Sequence, residues 1–162
     1  MSEIAYLSLG SNVGERQKHL REAIALLGGS ERVLRVSSFY ETEPVEVAPQ
    51  GWFLNCAAAI ETEKTPQELM TELLRIEQDM GRRRLQPKGP RIIDIDILLS
   101  GESVIDSPGV VVPHPAMHRR RFVLEPLAEI APEAQHPTLK KTVRELLSSL
   151  PAGQVVRRLL SS

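Results

Sequence analysis

Cysteine and long apolar runs are scarce in this chain of 162 residues, and each scarcity excludes a class of protein. Cys56 is the only cysteine, so no disulfide can form within the chain, which is typical of a reducing cytoplasm. No apolar run approaches the roughly 20 residues of a membrane span, and the N-terminus lacks the basic region of a signal peptide. We therefore expect a cytoplasmic protein with no membrane partner.

An excess of charge of one sign is also missing. The formal net charge is -1, whereas general binders of nucleic acid or membrane surfaces usually carry a basic excess. We therefore expect no nucleic-acid partner. Hydrophobic residues make up 41% of the chain, which is enough for a globular core at this length, so we expect residues 1–162 to form a single domain.

The charged residues that are present cluster around one short apolar segment. Asp94 and Asp96 are the only polar residues between positions 92 and 99, where isoleucine and leucine predominate. Such a run predicts a β-strand, in which side chains two positions apart share a face. Two carboxylates about 7 Å apart repel each other when ionised. A hard cation such as Mg²⁺, which prefers oxygen ligands, would remove that repulsion.

Basic residues lie on both sides of this strand in the sequence. Arg82, Arg84 and Arg91 precede it in a ten-residue segment without any acidic residue, and guanidinium groups bind phosphate oxygens in pairs. His114 follows between two prolines, close to Arg120 in a second basic run. Carboxylates for a metal beside cations for phosphate are the combination that phosphoryl-type transfer needs.

The wider pattern predicts an α+β fold with a ferredoxin-like βαββαβ core, a mostly antiparallel sheet with helices packed on one face. Strands are expected at 4–9, 33–40, 53–61 and 92–99, with a turn at 10–14. Helices are expected at 16–27, ended by Gly28 and Gly29, and from a capping box at 65–68 to Gly81. Further helices are expected at 122–130 and 142–150, and His19 and His136 are expected at the surface.

Together these residues resemble the 6-hydroxymethyl-7,8-dihydropterin pyrophosphokinase family. The resemblance covers residues 4 to about 137 and is most specific in the run Gly-Pro-Arg-x-x-Asp-x-Asp at 89–96, with Val-Pro-His at 112–114 downstream. Further matching segments are 9–12, 37–45, 53–55, and Glu77 with 81–82. The resemblance implies transfer of pyrophosphate from ATP to a reduced pterin with release of AMP, in folate biosynthesis. We expect the protein to be a monomer.

The resemblance also implies a role for individual residues. Two Mg²⁺ ions would be held by Asp94 and Asp96, and Asp96 would help to remove the proton of the attacking hydroxyl. The transferring group would be stabilised by Arg82 and Arg91. The ATP site would include Glu77, Arg84, His114 and Arg120, and the pterin pocket would include Thr42, Pro44, Val45, Asn55 and Phe122.

Other functions are compatible with parts of this pattern. A metal-dependent nucleotidyltransferase can also pair aspartates on a ferredoxin-like sheet. An RNA-binding module of the same element order would need exposed aromatic residues on its central strands, and the chain has only six aromatic residues. The residues alone do not distinguish attack on the β-phosphorus of ATP from attack on the γ-phosphorus.

Overall fold

The computed structural model describes residues 2–43, 52–81, 92–153 and 155–159. Its strands are β1 (Glu3–Ser11), β2 (Arg32–Val36), β3 (Tyr40–Thr42), β4 (Phe53–Thr62), β5 (Asp94–Ser100), β6 (Ile105–Ser107), β7 (Val110–Val112) and β8 (Val156–Arg158). Its helices are α1 (Arg16–Ser30), α2 (Pro66–Asp79), α3 (Arg121–Ile130) and α4 (Val143–Ser148), with a 3-10 turn at Met117–Arg119. No helix among the described residues is long and apolar enough to cross a membrane.

One antiparallel sheet organises the molecule. Its strands are ordered β5-β1-β4-β3-β8, and β2 also pairs with β4. Strands β1 and β4 are therefore central, and β5 lies beside β1. This order confirms the predicted α+β, ferredoxin-like fold. The two strands β6 and β7 form a separate hairpin.

Both faces of the sheet are covered, whereas the sequence predicted helices on one face. On the first face, Leu7 and Leu9 of β1 pack in a buried cluster with residues of α1 and α2. On the second face, Ala57 and Ala59 of β4 pack with residues of α3 and α4. The prediction was incomplete because the ferredoxin-like core accounts only for α1 and α2, while the two later helices supply the second layer.

Two predicted boundaries were wrong. Gly28 and Gly29 lie inside α1, which continues to Ser30. The intrinsic cost of about 1 kcal/mol for each helical glycine is offset by the buried face of the helix, which includes Leu20 and Leu27. The predicted turn at 10–14 begins later, because Gly10 and Ser11 are still paired with β4.

The predicted strand 33–40 is divided into β2 and β3 at Ser37. The Ser37 hydroxyl accepts a hydrogen bond from the backbone N–H of Ala57 at 2.9 Å. The Ser37 N–H donates to the carbonyl of Ala57 at 2.8 Å. The side chain therefore replaces a backbone group of the ladder, which lets the chain shift before β3 begins.

His136 was wrongly predicted to be a surface residue, because it is only 6% exposed. Its Nδ1 atom accepts hydrogen bonds from the N–H groups of Thr138 and Leu139 at 3.2 and 3.0 Å. Burial, and next the neighbouring His118, lower the pKa of His136. The ring is thus a neutral acceptor that holds a turn together. His19, the other histidine predicted to be at the surface, is partly buried.

Two glutamates and a lysine form a small cluster between the end of α1 and the body of α2. Lys64 Nζ contacts Glu31 Oε2 and lies 3.6 Å from Glu72 Oε1. Among the described residues, Glu72 Oε2 is buried without a hydrogen-bond partner. Burial and the adjacent Glu31 raise the pKa of Glu72. The pKa of Glu31 is lowered, because hydrogen bonds with Glu72 and Lys64 outweigh the effect of burial.

This cluster predicts a pH-dependent effect of Glu72→Gln. A raised pKa means that Glu72 stabilises the fold when protonated, and that this stabilisation is lost as pH rises from 4.5 through the folded-state pKa. The glutamine amide can donate to Glu31 without titrating. We therefore expect a higher melting temperature than wild type at pH 8, with a smaller difference at pH 5. Glu102→Gln, at an exposed position, is the control, and an E72Q variant less stable at pH 8 would contradict the interpretation.

Candidate active site

The carboxylates of Asp94 and Asp96 lie on the second face of the sheet, as the alternation predicted. Ile93, Ile95 and Ile97 are buried in the cluster on the first face. Asp94 is partly buried and Asp96 is exposed. Their cross-strand partners on β1 are Gly10 and Ser8. The apolar face therefore anchors the strand, while its acidic face remains accessible.

Glu77 holds the same strand from the other side. The residue is 3% exposed, and its Oε2 atom accepts a hydrogen bond from the N–H of Ile95 at 2.7 Å. β5 has β1 along one edge and ends the strand order of the sheet on the other. The glutamate thus takes the place that a further strand would occupy, and it fixes the peptide between the two aspartates.

His114 and Arg120 lie next to this acidic face. The N–H of His114 donates to the carbonyl of Leu98 at 3.0 Å, which attaches the segment to β5. Burial lowers the pKa of His114, Asp96 raises it, and Arg120 lowers it further, with a net downward shift. His114 Nδ1 accepts from the N–H of Ala116 at 3.1 Å. In the neutral ring the proton is therefore on Nε2, which can donate to an anion.

Phe122, at the start of α3, lies beside Arg120. The guanidinium carbon of Arg120 is 5.7 Å from the centre of the Phe122 ring, a cation–π distance. Phe122 is partly buried against the α3 cluster. One part of the residue therefore packs in the protein and another part remains accessible.

Asn55 and Thr42 form a second polar group on this face. Both side chains are buried, at 4% and 2% exposure, and the Thr42 hydroxyl donates to Asn55 Oδ1 at 2.9 Å. Asn55 pairs with Gly10, which in turn pairs with Asp94. The three residues lie in one row across the sheet, and adjacent strands are about 4.8 Å apart. Asn55 and Asp94 are therefore separated by about 10 Å of sheet.

Gly10 lies in β1 opposite Asn55, whereas the sequence analysis placed it in a turn. A Cβ atom at Gly10 would lie 2.8 Å from Asn55 Nδ2, so the absence of a side chain makes room for the amide. A glycine inside a strand often marks a close approach. The glycine is visible in the sequence, but the strand was predicted to end at residue 9, so Gly10 was not assigned to it.

Several predicted site residues lie outside the described part of the chain. These are Pro44 and Val45 of the predicted pterin pocket, and Arg82, Arg84 and Arg91 of the predicted phosphate-binding set. The structure brings together the remaining predicted residues on one side of the sheet, except Glu77, which contacts the backbone of β5.

The donor set suits a hard cation. Two carboxylates on alternate positions of one strand face offer only oxygen ligands, which is the chemistry that Mg²⁺ prefers. No group of three or more His, Cys, Asp or Glu side chains with metal-binding geometry occurs within 2–43, 52–81, 92–153 and 155–159. Mg²⁺ beside phosphates commonly has one or two carboxylate ligands, with water and substrate oxygens as the others.

An acidic pair beside a histidine and an arginine, on an α+β sheet, has the features of a phosphoryl-type transferase. Residues 6–132 match the model of the 7,8-dihydro-6-hydroxymethylpterin-pyrophosphokinase (HPPK) family. A 2-amino-4-hydroxy-6-hydroxymethyldihydropteridine pyrophosphokinase of Bacillus subtilis is 46% identical over 137 residues, which are 83% of this chain and 82% of that protein. The chain therefore belongs to the HPPK family, which confirms the resemblance seen in the sequence.

Longer proteins contain a similar unit. The folic acid synthesis protein fol1 of Schizosaccharomyces pombe is 41% identical over 163 residues, which are 99% of this chain but 22% of that protein. A crystal structure of Plasmodium falciparum HPPK-DHPS shares the fold, with a TM-score of 0.76 at 17% identity, over 91% of this chain and 45% of that one. This chain thus spans about a fifth of the first protein and under half of the second.

The role of Glu77 in holding β5 can be tested directly. Glu77→Ala leaves the N–H of Ile95 without its acceptor, and an unpaired buried donor costs about 1–3 kcal/mol. We expect the free energy of unfolding in urea to fall by that amount. Glu77→Gln, which keeps a carbonyl oxygen, should lose less. Equal stability of the alanine and wild-type proteins would show that the contact does not hold the strand.

Proposed function

We propose that this chain transfers pyrophosphate from ATP to 6-hydroxymethyl-7,8-dihydropterin and releases AMP, in folate biosynthesis. The observation that carries the proposal is the acidic face of β5, with Asp96 beside His114 and Asn55 in the same sheet row as Asp94. Membership of the pyrophosphokinase family supports this chemistry. It does not favour the nucleotidyltransferase alternative.

Asp94 and Asp96 would hold two Mg²⁺ ions. When bound, the ions would neutralise the triphosphate and stabilise the charge that develops during transfer. Asp96 is exposed, so it can also accept the proton of the pterin hydroxyl as it attacks the β-phosphorus. Transfer of this kind depends mainly on positioning and charge, and therefore needs no strong base.

The phosphates of ATP would lie beside His114 and Arg120. Because the pKa of His114 is lowered mainly by burial, the ring is neutral at physiological pH and offers Nε2–H as a donor. Arg82 and Arg91 would stabilise the transferring group and Arg84 would assist binding, as their guanidinium groups suit phosphate oxygens. Glu77 would serve the ATP site by positioning β5.

The pterin would bind beside Asn55. The hydroxyl of Thr42 fixes the orientation of the amide, so Asn55 can present a defined donor or acceptor to the edge of the pterin ring. Phe122 would stack on the ring, and Pro44 and Val45 would complete the pocket. A buried amide in fixed orientation discriminates strongly between hydrogen-bonding partners, since a mismatched ligand leaves it unpaired.

The 162 residues would act as a single domain and as a cytoplasmic monomer, with ATP and the reduced pterin as small-molecule partners. One sheet includes strands from Glu3 to Arg158, which supports the single-domain proposal. The scarcity of cysteine supports the location.

The direct test is analysis of nucleotides after incubation of the protein with ATP, Mg²⁺ and 6-hydroxymethyl-7,8-dihydropterin. We expect AMP to form only when the pterin is present. Pterin-dependent ADP would instead indicate transfer of a single phosphate. A folded protein that gives neither product would contradict the proposed function.

The metal role of the two aspartates predicts severe loss of turnover in Asp94→Asn and Asp96→Asn. Each change removes one charge while keeping the shape, and we expect kcat to fall by about a hundredfold or more, because metal-assisted charge stabilisation is worth several kcal/mol. Asp106→Asn, at an exposed aspartate on β6, is the matched control. Wild-type rates in both site variants would exclude the assignment.

A further inference from the structure

The strand β8, close to the C-terminal end of the described chain, lies beside the predicted pterin pocket. Residues 133–162 fall outside the part that matches the family model. Even so, Val156–Arg158 pairs with β3 along its outer edge, with Thr42 opposite Val156 and Tyr40 opposite Arg158. β3 has only three residues, so its position depends on both of its neighbours.

Backbone contacts extend this pairing beyond β3 in both directions. The N–H of Glu43 donates to the carbonyl of Val155 at 3.2 Å, and the N–H of Leu159 donates to the carbonyl of Phe39 at 2.8 Å. The N–H of Val155 donates to Glu43 Oε1 at 2.8 Å. The segment 155–159 therefore holds the chain from Phe39 to Glu43, the residue that follows Thr42.

Side chains attach the same strand to α3. Arg158 Nε donates to the Ser38 hydroxyl at 3.0 Å, and its guanidinium lies 3.7 Å from Glu129. Glu129 accepts hydrogen bonds from the hydroxyl of Tyr40 at 2.7 Å and from the N–H of Ser38. Arg158 and Glu129 thereby link β8, β3 and α3, the helix that begins next to Phe122.

We propose that β8 is a positioning element of the pterin site, which sets pterin affinity by holding Thr42 against Asn55. This inference rests on the proposed function. β3 pairs with β4 along its inner edge, and the Thr42–Asn55 hydrogen bond joins these two strands. β8 holds β3 along its outer edge. If β3 shifts outward, Asn55 loses the hydroxyl that orients its amide.

We expect the effect to be selective for the pterin because His114, one of the predicted ATP residues, is attached to β5, at the opposite edge of the sheet from β8. His114 is attached to β5, and β1 and β4 separate β5 from β3. The hydrogen bonds and ion pairs that residues 155–159 make with other described residues go to the segment 38–43 and to Glu129, and none of them goes to β5 or to the His114 segment. A displacement of β3 should therefore leave ATP binding intact.

The test uses one proline inside the ladder and one outside it. In an antiparallel pair, every second residue of a strand makes backbone hydrogen bonds with the partner strand. Val155 and Leu159 make such bonds with Glu43 and Phe39. Arg157 therefore turns its N–H toward β3, while Val156 turns its N–H away. Arg157→Pro removes a ladder donor, whereas Val156→Pro at the outer edge should be tolerated. Arg157→Ala controls for the loss of the side chain, which lies 4.6 Å from the Trp52 ring and 3.7 Å from Glu41.

Two ligands are measured separately in the full chain. We expect R157P to raise both the Kd and the KM for 6-hydroxymethyl-7,8-dihydropterin about tenfold, as for a lost buried polar contact. The Kd for α,β-methylene-ATP with Mg²⁺ should change less than about twofold, and R157A and V156P should stay close to wild type. A folded R157P with unchanged pterin Kd would overturn the proposal, as would equal losses for both ligands.

A second pair of variants decides the matter if R157P does not fold. Glu43→Ala removes the acceptor for the Val155 N–H, and Glu43→Gln keeps one. Weaker pterin binding in E43A that is restored in E43Q would support the role of β8, and wild-type pterin binding in E43A would overturn it. The proposed function fails separately: wild-type protein would then give no pterin-dependent AMP. Normal wild-type activity with unaltered variants would refute only this inference.

Discussion

The register of β1 between β4 and β5 is the constraint on which the candidate site depends. It places Asn55, Gly10 and Asp94 in one row across the sheet. A slip of one residue in either pairing would turn the matching side chains to the opposite face. The carboxylates would then enter the apolar cluster beneath the sheet, where an unpaired charge is strongly unfavourable. The same hydrophobic pattern that builds the core therefore also fixes the acidic face.

Small residues determine what can approach this face. Ala57 and Ala59 on β4 leave room for α3 to pack closely against the sheet, and Gly10 leaves room for the amide of Asn55. Phe122 at the start of this helix lies beside Arg120, and the charges of Arg120 and Asp96 both act on His114. Packing and polar chemistry are thus connected, because α3 covers β4 on the second face of the sheet and also carries Phe122 of the candidate site.

The sequence predicted the elements whose signals are local. The capping box at Thr65 and the alternation around Asp94 are each contained within a few neighbouring positions, and both occur as expected. The burial of His136 and the division of the strand at Ser37 were missed. His136 is buried by a local turn that has no periodic pattern, and the Ser37 hydroxyl bonds to a strand twenty residues away. For the site, residue types and faces could be predicted, but the support from Glu77 and β8 depends on contacts that only the tertiary fold creates.

Short strands explain why support from distant residues is needed. β3 contributes Thr42 to the site but is too short to hold its own register, since each end is only one residue from the centre. Of its two neighbours, β4 begins more than ten residues later in the chain, and β8 lies in the C-terminal region. Edge strands left unpaired are prone to slip or to pair with other chains. By covering β3, β8 removes that freedom at the position where the polar geometry must be fixed, so a segment without recognisable motifs can still influence ligand binding.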